Sequence, residues 1–146
     1  MSKSNAAETA FLTLVFNNTD WANIGDAGGL QNSAAAGSLY VALHTADPGE
    51  AGTAATSECA YGSYARQGVA RSGAGWTVSG DTVSNAALVQ FPECSSGSET
   101  ITHVSITTAV SGTSDILWSG ALTASRAVSS GIQPQFAIGA LTVTEA

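Results

Sequence analysis

His44, Asp47 and Glu50 lie close together in the stretch LYVALHTADPGEAG, residues 39–52. An imidazole beside two carboxylates has the side chains for general acid–base work or for holding a metal ion. The spacing speaks against both. In an extended strand, residues three apart point to opposite faces, although a turn can redirect Asp47. The second histidine, His103, lies far away in ITHVSI, and neither an HxH nor an HExxH spacing occurs. The two imidazoles could share a metal only if their strands were neighbours.

Other chemistry is weaker still. The serines have no GxSxG setting. Cys59 in SECAYG and Cys94 in PECSSG have no histidine beside them in sequence, and each follows a glutamate. A carboxylate raises a thiol's pKa rather than activating it. The glycine-rich IGDAGG lacks the GK(S/T) ending of a phosphate cradle. Asp26, Asp81 and Asp115 sit in turns without a DxDxDG run for calcium. No cofactor, metal site or catalytic set is expected.

The elements that would position such groups are strands. SLYVALHT alternates, with Leu39, Val41 and Leu43 on one face and Tyr40, Ala42 and His44 on the other. SYARQGVAR, GWTVSG, TVSNAALVQF, TITHVSITTA, DILWSGALTA, AVSSG, IQPQFAIG and ALTVT follow, separated by the turn signals DPGE, SGAG, SGD, SGSE and VSGTSD. Short strands at this spacing predict a mainly β fold: an antiparallel sandwich, jelly-roll-like, or a barrel. Pro134 suits an edge or bulged position. Pro48-Gly49 matches a type II turn, and Asp47 is placed to accept from the backbone beyond it. The opening cluster therefore reads as a strand running into a turn.

One helix is expected, in SNAAETAFLTLVFNN. Asn5 and Glu8 have capping-box spacing, Phe11, Leu14 and Val15 share a face with Ala7 behind them, and Asn17 or Asn18 ends it. The predicted organisation is a single domain, with the helix and a Gly-rich loop over 1–37 and a β-sandwich over 38–146. The expected core comprises Leu39, Val41, Leu43, Trp76, Val78, Val104, Ile106, Leu117, Phe136, Ile138, Leu141 and Val143. Trp118 is expected to anchor the core or a sheet face, and Trp21 to staple the helix to the sheet.

The 146 residues carry 11 acidic and 4 basic side chains, a net charge of -7, and only 10% are charged. Lys3, Arg66, Arg71 and Arg126 do not cluster, so neither a nucleic-acid backbone nor an anionic membrane has a matching patch. One cysteine pair makes no disulfide framework; two free thiols are expected, with a Cys59–Cys94 bridge as the alternative. The N-terminus has no cleavage-like signal, and no stretch reaches ~18 apolar residues. A soluble product made in a cytoplasm is expected.

The stretch GSLYVALHTADPGEAGTAATSECAYGSYARQGVARSGAGWTVSGDTVSNAALVQFPE, with ITHVSITTAVSGTSDILWSGALTASRAVSSGIQPQFAIGALTVTE after it, resembles a family of small tailed-phage virion proteins. These are often labelled tail fibre, structural or head decoration-like proteins. The likeness runs from FNNTDWANIGD to ALTVTE and rests on glycine and turn patterns. It implies a non-enzymatic virion component assembled in a bacterial cytoplasm. No 20–50-residue repeat or stalk is visible, which favours a compact capsid decoration or cement protein that clamps the major capsid protein or another virion protein. The alternative is a tail-fibre or tail-tip module that binds a host-surface glycan through Trp76, Trp118, Tyr61 or Tyr64. A cell-wall or capsule hydrolase comes third, without the carboxylate pair or triad it needs. A homo-oligomer, dimer or trimer, is expected. The partner-facing residues are expected to be Phe11, Leu14 and Val15 of the helix, Asp47, Pro48, Glu50 and Thr53 of the loop, and half-exposed Tyr61 and Tyr64.

Overall fold

The computed structural model describes residues 1–146. In chain order the elements are α1 (Asn5–Asn17), β1 (Ser38–His44), β2 (Gln67–Ala70), β3 (Trp76–Ser79), β4 (Thr82–Asn85), β5 (Val89–Gln90), β6 (Ser98–Thr107), β7 (Ile116–Ser129), β8 (Gln135–Phe136) and β9 (Thr142–Thr144). The fold is mainly β with one short N-terminal helix, as the alternation predicts. Strand orders are β2-β1-β6-β7, β3-β4-β9 and β5-β8, and every pairing with a described register is antiparallel. The sheets close no barrel, which removes that half of the expectation. The chain divides into two compact units. One comprises Met1–Ser38, Val69–Val89 and Phe136–Ala146; the other comprises Leu39–Gly68 and Gln90–Gln135.

In the first unit, α1 packs on β3 and β4. Its N-cap is Ser4, one residue earlier than expected, and the Ser4 side chain accepts from the Ala7 amide. Asn18 ends the helix at φ +53, the left-handed conformation asparagine tolerates. The buried face is Glu8, Leu12 and Phe16, whereas Phe11, Leu14 and Val15 are only half-buried. Spacing could not single out that face, because AFLTLVF is apolar almost all round. Phe16 meets Trp76 edge-on at 4.9 Å between centroids. The β3–β4 hairpin turns through Gly80-Asp81, with Gly80 at φ +64 as a two-residue loop requires. Arg71 ties the end of the helix to the following loop, donating to the carbonyls of Leu14, Val15 and Ala36.

The second unit is built on β1 and β6, buried on both faces along much of their length. Val41 lies opposite Ile106, Leu43 opposite Val104 and His44 opposite His103. The core here includes Val41, Leu43, Cys59, Tyr61, Phe91, Cys94, Ile101, Ile106 and Val128. Of the expected core, Leu39, Val41, Leu43, Trp76, Val104, Ile106 and Leu141 are buried. Val78, Phe136 and Val143 are half-buried. Leu117 and Ile138 are exposed at 38% and 70%. Alternation marks the two faces of a strand but not whether a second layer covers them.

Candidate functional site: a sealed polar network and an open strand edge

The opening cluster resolves into a turn and a buried imidazole. Asp47 Oδ1 accepts from the Gly49 amide at 2.9 Å, and Gly49 takes φ +70 as the proline-glycine turn demands. At Gly52 a Cβ would come within 2.0 Å of the Pro48 carbonyl oxygen, so the loop closes only on a bare α-carbon. Neither ring nitrogen of His44 bonds to Asp47 or Glu50. Its Nδ1 lies 2.9 Å from the Thr56 carbonyl oxygen, which can only accept, so Nδ1 carries the proton. Nε2 then accepts from the Ser105 hydroxyl at 2.7 Å.

A serine hydroxyl on an imidazole is the pairing a nucleophile needs. Here, however, His44 is 0% exposed and Ser105 is 1% exposed, so no substrate reaches the hydroxyl. The strands of His44 and His103 are indeed neighbours, with the two residues directly opposite, yet both His44 nitrogens are engaged within the fold. No group of three or more His, Cys, Asp or Glu side chains is placed to hold a metal ion. Burial lowers the His44 pKa from 6.5, against the opposing pull of the Thr56 carbonyl and Glu58.

Beside it lies a second buried group. The Arg66 guanidinium grips Glu58 with two bonds of 2.7 Å, Nε to Oε1 and Nη2 to Oε2. It also donates to the carbonyls of Ala109 and Gly112 and to Ser114 Oγ, pinning the β6–β7 loop. Tyr64 donates to Glu58 Oε1 and accepts from the Leu43 amide. The Glu58 bond raises the Arg66 pKa, and burial raises that of Tyr64. These groups fasten loops to β1.

The thiols are sealed as well. Cys59 and Cys94 are free and buried. Burial, aided by the Glu99 carboxylate, pushes the Cys59 thiol up to about 12. Glu99 is occupied as a cap, accepting from the Ala60 and Tyr61 amides. Tyr61 is buried rather than half-exposed: it stacks edge-on with Tyr64 at 5.3 Å, and its hydroxyl donates to the Pro92 carbonyl. Burial pushes its pKa up to about 12. Trp76 is also fully buried, so of the four rings proposed for a glycan platform only Tyr64 and Trp118 keep partial exposure.

Phe11, Leu14 and Val15 belong to the first unit; Asp47, Pro48, Glu50, Thr53, Tyr61 and Tyr64 belong to the second. Asp47 and Glu50 are exposed, Pro48 is buried and Thr53 is half-buried. The most open surface was not among them. DILWSGALTA and AVSSG form parts of one 14-residue strand, β7, at the edge of its sheet. From Ser119 to Ala127 every residue but Leu122 is exposed. One signal for this was present: SGALTASRAVS is almost all small residues, with too few large apolar groups to line a core.

His44, Ser105, Cys59 and Cys94 are thus buried, while the middle of β7 lies exposed at a sheet edge. Residues 2–144 match the family model described as Podophage GP4 fiber I protein gp80. The chain belongs to this podophage fiber I family. That places it among phage virion structural proteins, in line with the resemblance carried by the sequence. No curated protein matches the chain. The fiber I description favours the fibre setting over head decoration.

Proposed function

We propose that this chain is a non-enzymatic structural component of a phage tail fibre, acting by non-covalent contact with neighbouring virion chains. The family match over residues 2–144, with its fibre description, carries the reading. The burial of His44, Ser105 and Cys59 supports a non-enzymatic role, since these three side chains are closed off from solvent and His44 is held by bonds to Thr56 and Ser105. The head-decoration reading rested on compactness and lack of repeats, which a small fibre module shares. Binding of a host glycan through an aromatic platform loses support, because Trp76 and Tyr61 are internal.

Cryo-EM of the virion tests the location. Density for this fold on the tail fibres is the expected result. Density at symmetry-related positions over the head, with fibres lacking it, would sink the proposal and restore the cement reading. A glycan array adds a second check: a strong signal abolished by Trp118→Ala would reinstate sugar recognition.

A further inference from the structure

We infer that the open face of the sheet β3-β4-β9 binds a linear, neutral polysaccharide through two rows of side-chain hydroxyls. The three strands read Thr77-Val78-Ser79, Thr82-Val83-Ser84 and Thr142-Val143-Thr144. Alternation gives the valines one face and the hydroxyls the other. Val78 lies opposite Val83, and Val83 opposite Val143. They share their face with buried Trp76 and Asn85, and α1 covers it through the contact of Phe16 with Trp76. The opposite face carries Thr77, Ser84 and Thr142 abreast in one row and Ser79, Thr82 and Thr144 in the next. Thr77, Ser79, Thr142 and Thr144 are exposed, and the two residues of the middle strand are half-buried. Sheet geometry sets neighbours about 5 Å apart within a row and the rows about 7 Å apart.

Threonine suits strands whatever their surface does, so its presence alone decides nothing. The face is narrower than that preference requires. β3, β4 and β9 hold no charged side chain, whereas the exposed run of β7 mixes Ala, Gly, Ser and Thr with Arg126. The hydroxyls of Thr77, Ser79, Ser84 and Thr142 have no partner within the fold; the Thr82 hydroxyl donates to Asp81 Oδ1 at 3.1 Å and lies 3.4 Å from that of Thr144. Each free hydroxyl can donate and accept, as the hydroxyls of a sugar do. Charge selects among polymers. Asp81 and Glu145 stand together at one end of the sheet, where the Glu145 amide donates to the Asp81 carbonyl, and Lys3 is paired with Glu145. In a chain of net charge -7, with no free cation in these strands or their turn, a polyanion is repelled and a neutral chain is admitted. A linear 1,4-linked glycan is a flat ribbon with hydroxyls along both edges, which matches a flat array and needs no aromatic ring to stack on. The inference concerns the chain itself and holds wherever in the virion it sits.

Affinity electrophoresis of the full chain through native gels is the test, with glucomannan as the neutral ribbon and alginate as its anionic counterpart. The expected result is retardation by glucomannan and none by alginate. Thr77→Val with Thr142→Val removes the two outer hydroxyls of one row while keeping side-chain shape, and should weaken binding roughly tenfold. Thr123→Val, an exposed threonine of β7, and Trp118→Ala should leave binding unchanged. NMR titration of the unmodified chain with glucomannan oligosaccharides gives a readout independent of any variant: the shifted amides should fall within residues 77–84 and 142–144. Absence of retardation by glucomannan overturns the inference. So does equal retardation by alginate, binding indifferent to the double substitution, or shifts centred on Trp118.

Discussion

Replacing Arg66 by methionine should destabilise the second unit by about 3 kcal/mol. Removing one partner of a buried ion pair costs roughly 3–5 kcal/mol, because the other charge stays behind without compensation. The Arg66 side chain is 1% exposed and that of Glu58 is 18% exposed. Water can therefore reach the stranded carboxylate in part, and Tyr64 still donates to it, which puts the expectation at the lower end. The carbonyls of Ala109 and Gly112 lie in an exposed loop and can turn to solvent, so they add little. Glu58→Gln should cost less, about 2 kcal/mol, since Arg66 keeps three neutral acceptors. For a chain of this size, 3 kcal/mol corresponds to a Tm shift of roughly 6–12 °C. Urea denaturation of the two single variants and the double variant measures the coupling, while hydrogen exchange should show residues 108–115 opening first. A loss below about 1 kcal/mol for Arg66→Met would refute the reasoning, because that is the worth of a solvated surface pair.

Three further outcomes follow from the same geometry. His44 is held neutral with its pKa below 6.5, so the unfolded chain takes up its proton first on acidification. Stability should fall as pH drops through 6.5, by up to about 1.4 kcal/mol per pH unit, and His44→Gln should flatten that slope in urea midpoints; an unchanged slope refutes it. Neither Cys59 nor Cys94 should react with a thiol reagent in the native protein, whereas both should react in urea; rapid native labelling of Cys59 would contradict its burial and raised pKa. Phe16→Ala should cost about 3–5 kcal/mol and Phe11→Ala less than half of that, since only Phe16 is fully buried; equal losses in chemical denaturation would show that the helix packs on a different face.

Local chemistry was readable residue by residue. Alternation in SLYVALHT marked a strand because side chains along it point alternately to opposite faces. Asp47, Pro48 and Gly49 marked the turn through φ preferences and a side-chain bond two residues on. Asn18 marked the end of the helix for the same kind of reason. The absence of a catalytic spacing around His44 pointed towards a structural or surface role, with alternation favouring a solvated or interface face; the structure instead buries the imidazole, with bonds to Thr56 and Ser105.

What depended on tertiary structure was which surfaces acquire neighbours. Glu58 and Arg66 are eight residues apart, yet their pairing also draws in Ser114, 48 residues beyond Arg66. Nothing in local spacing announces that. Tyr61 and Tyr64 read alike in sequence, but Phe91 and the Pro92 carbonyl come from a distant segment to enclose them. Leu117 has the same apolar character as Leu43, and one is exposed while the other is buried, because β1 gains a neighbour on each side and β7 lies at the edge. Hydrophobicity and periodicity are properties of single positions and short runs. Burial is a property of pairs brought together across the chain, and it seals the His44–Ser105 pair while leaving the β7 edge open.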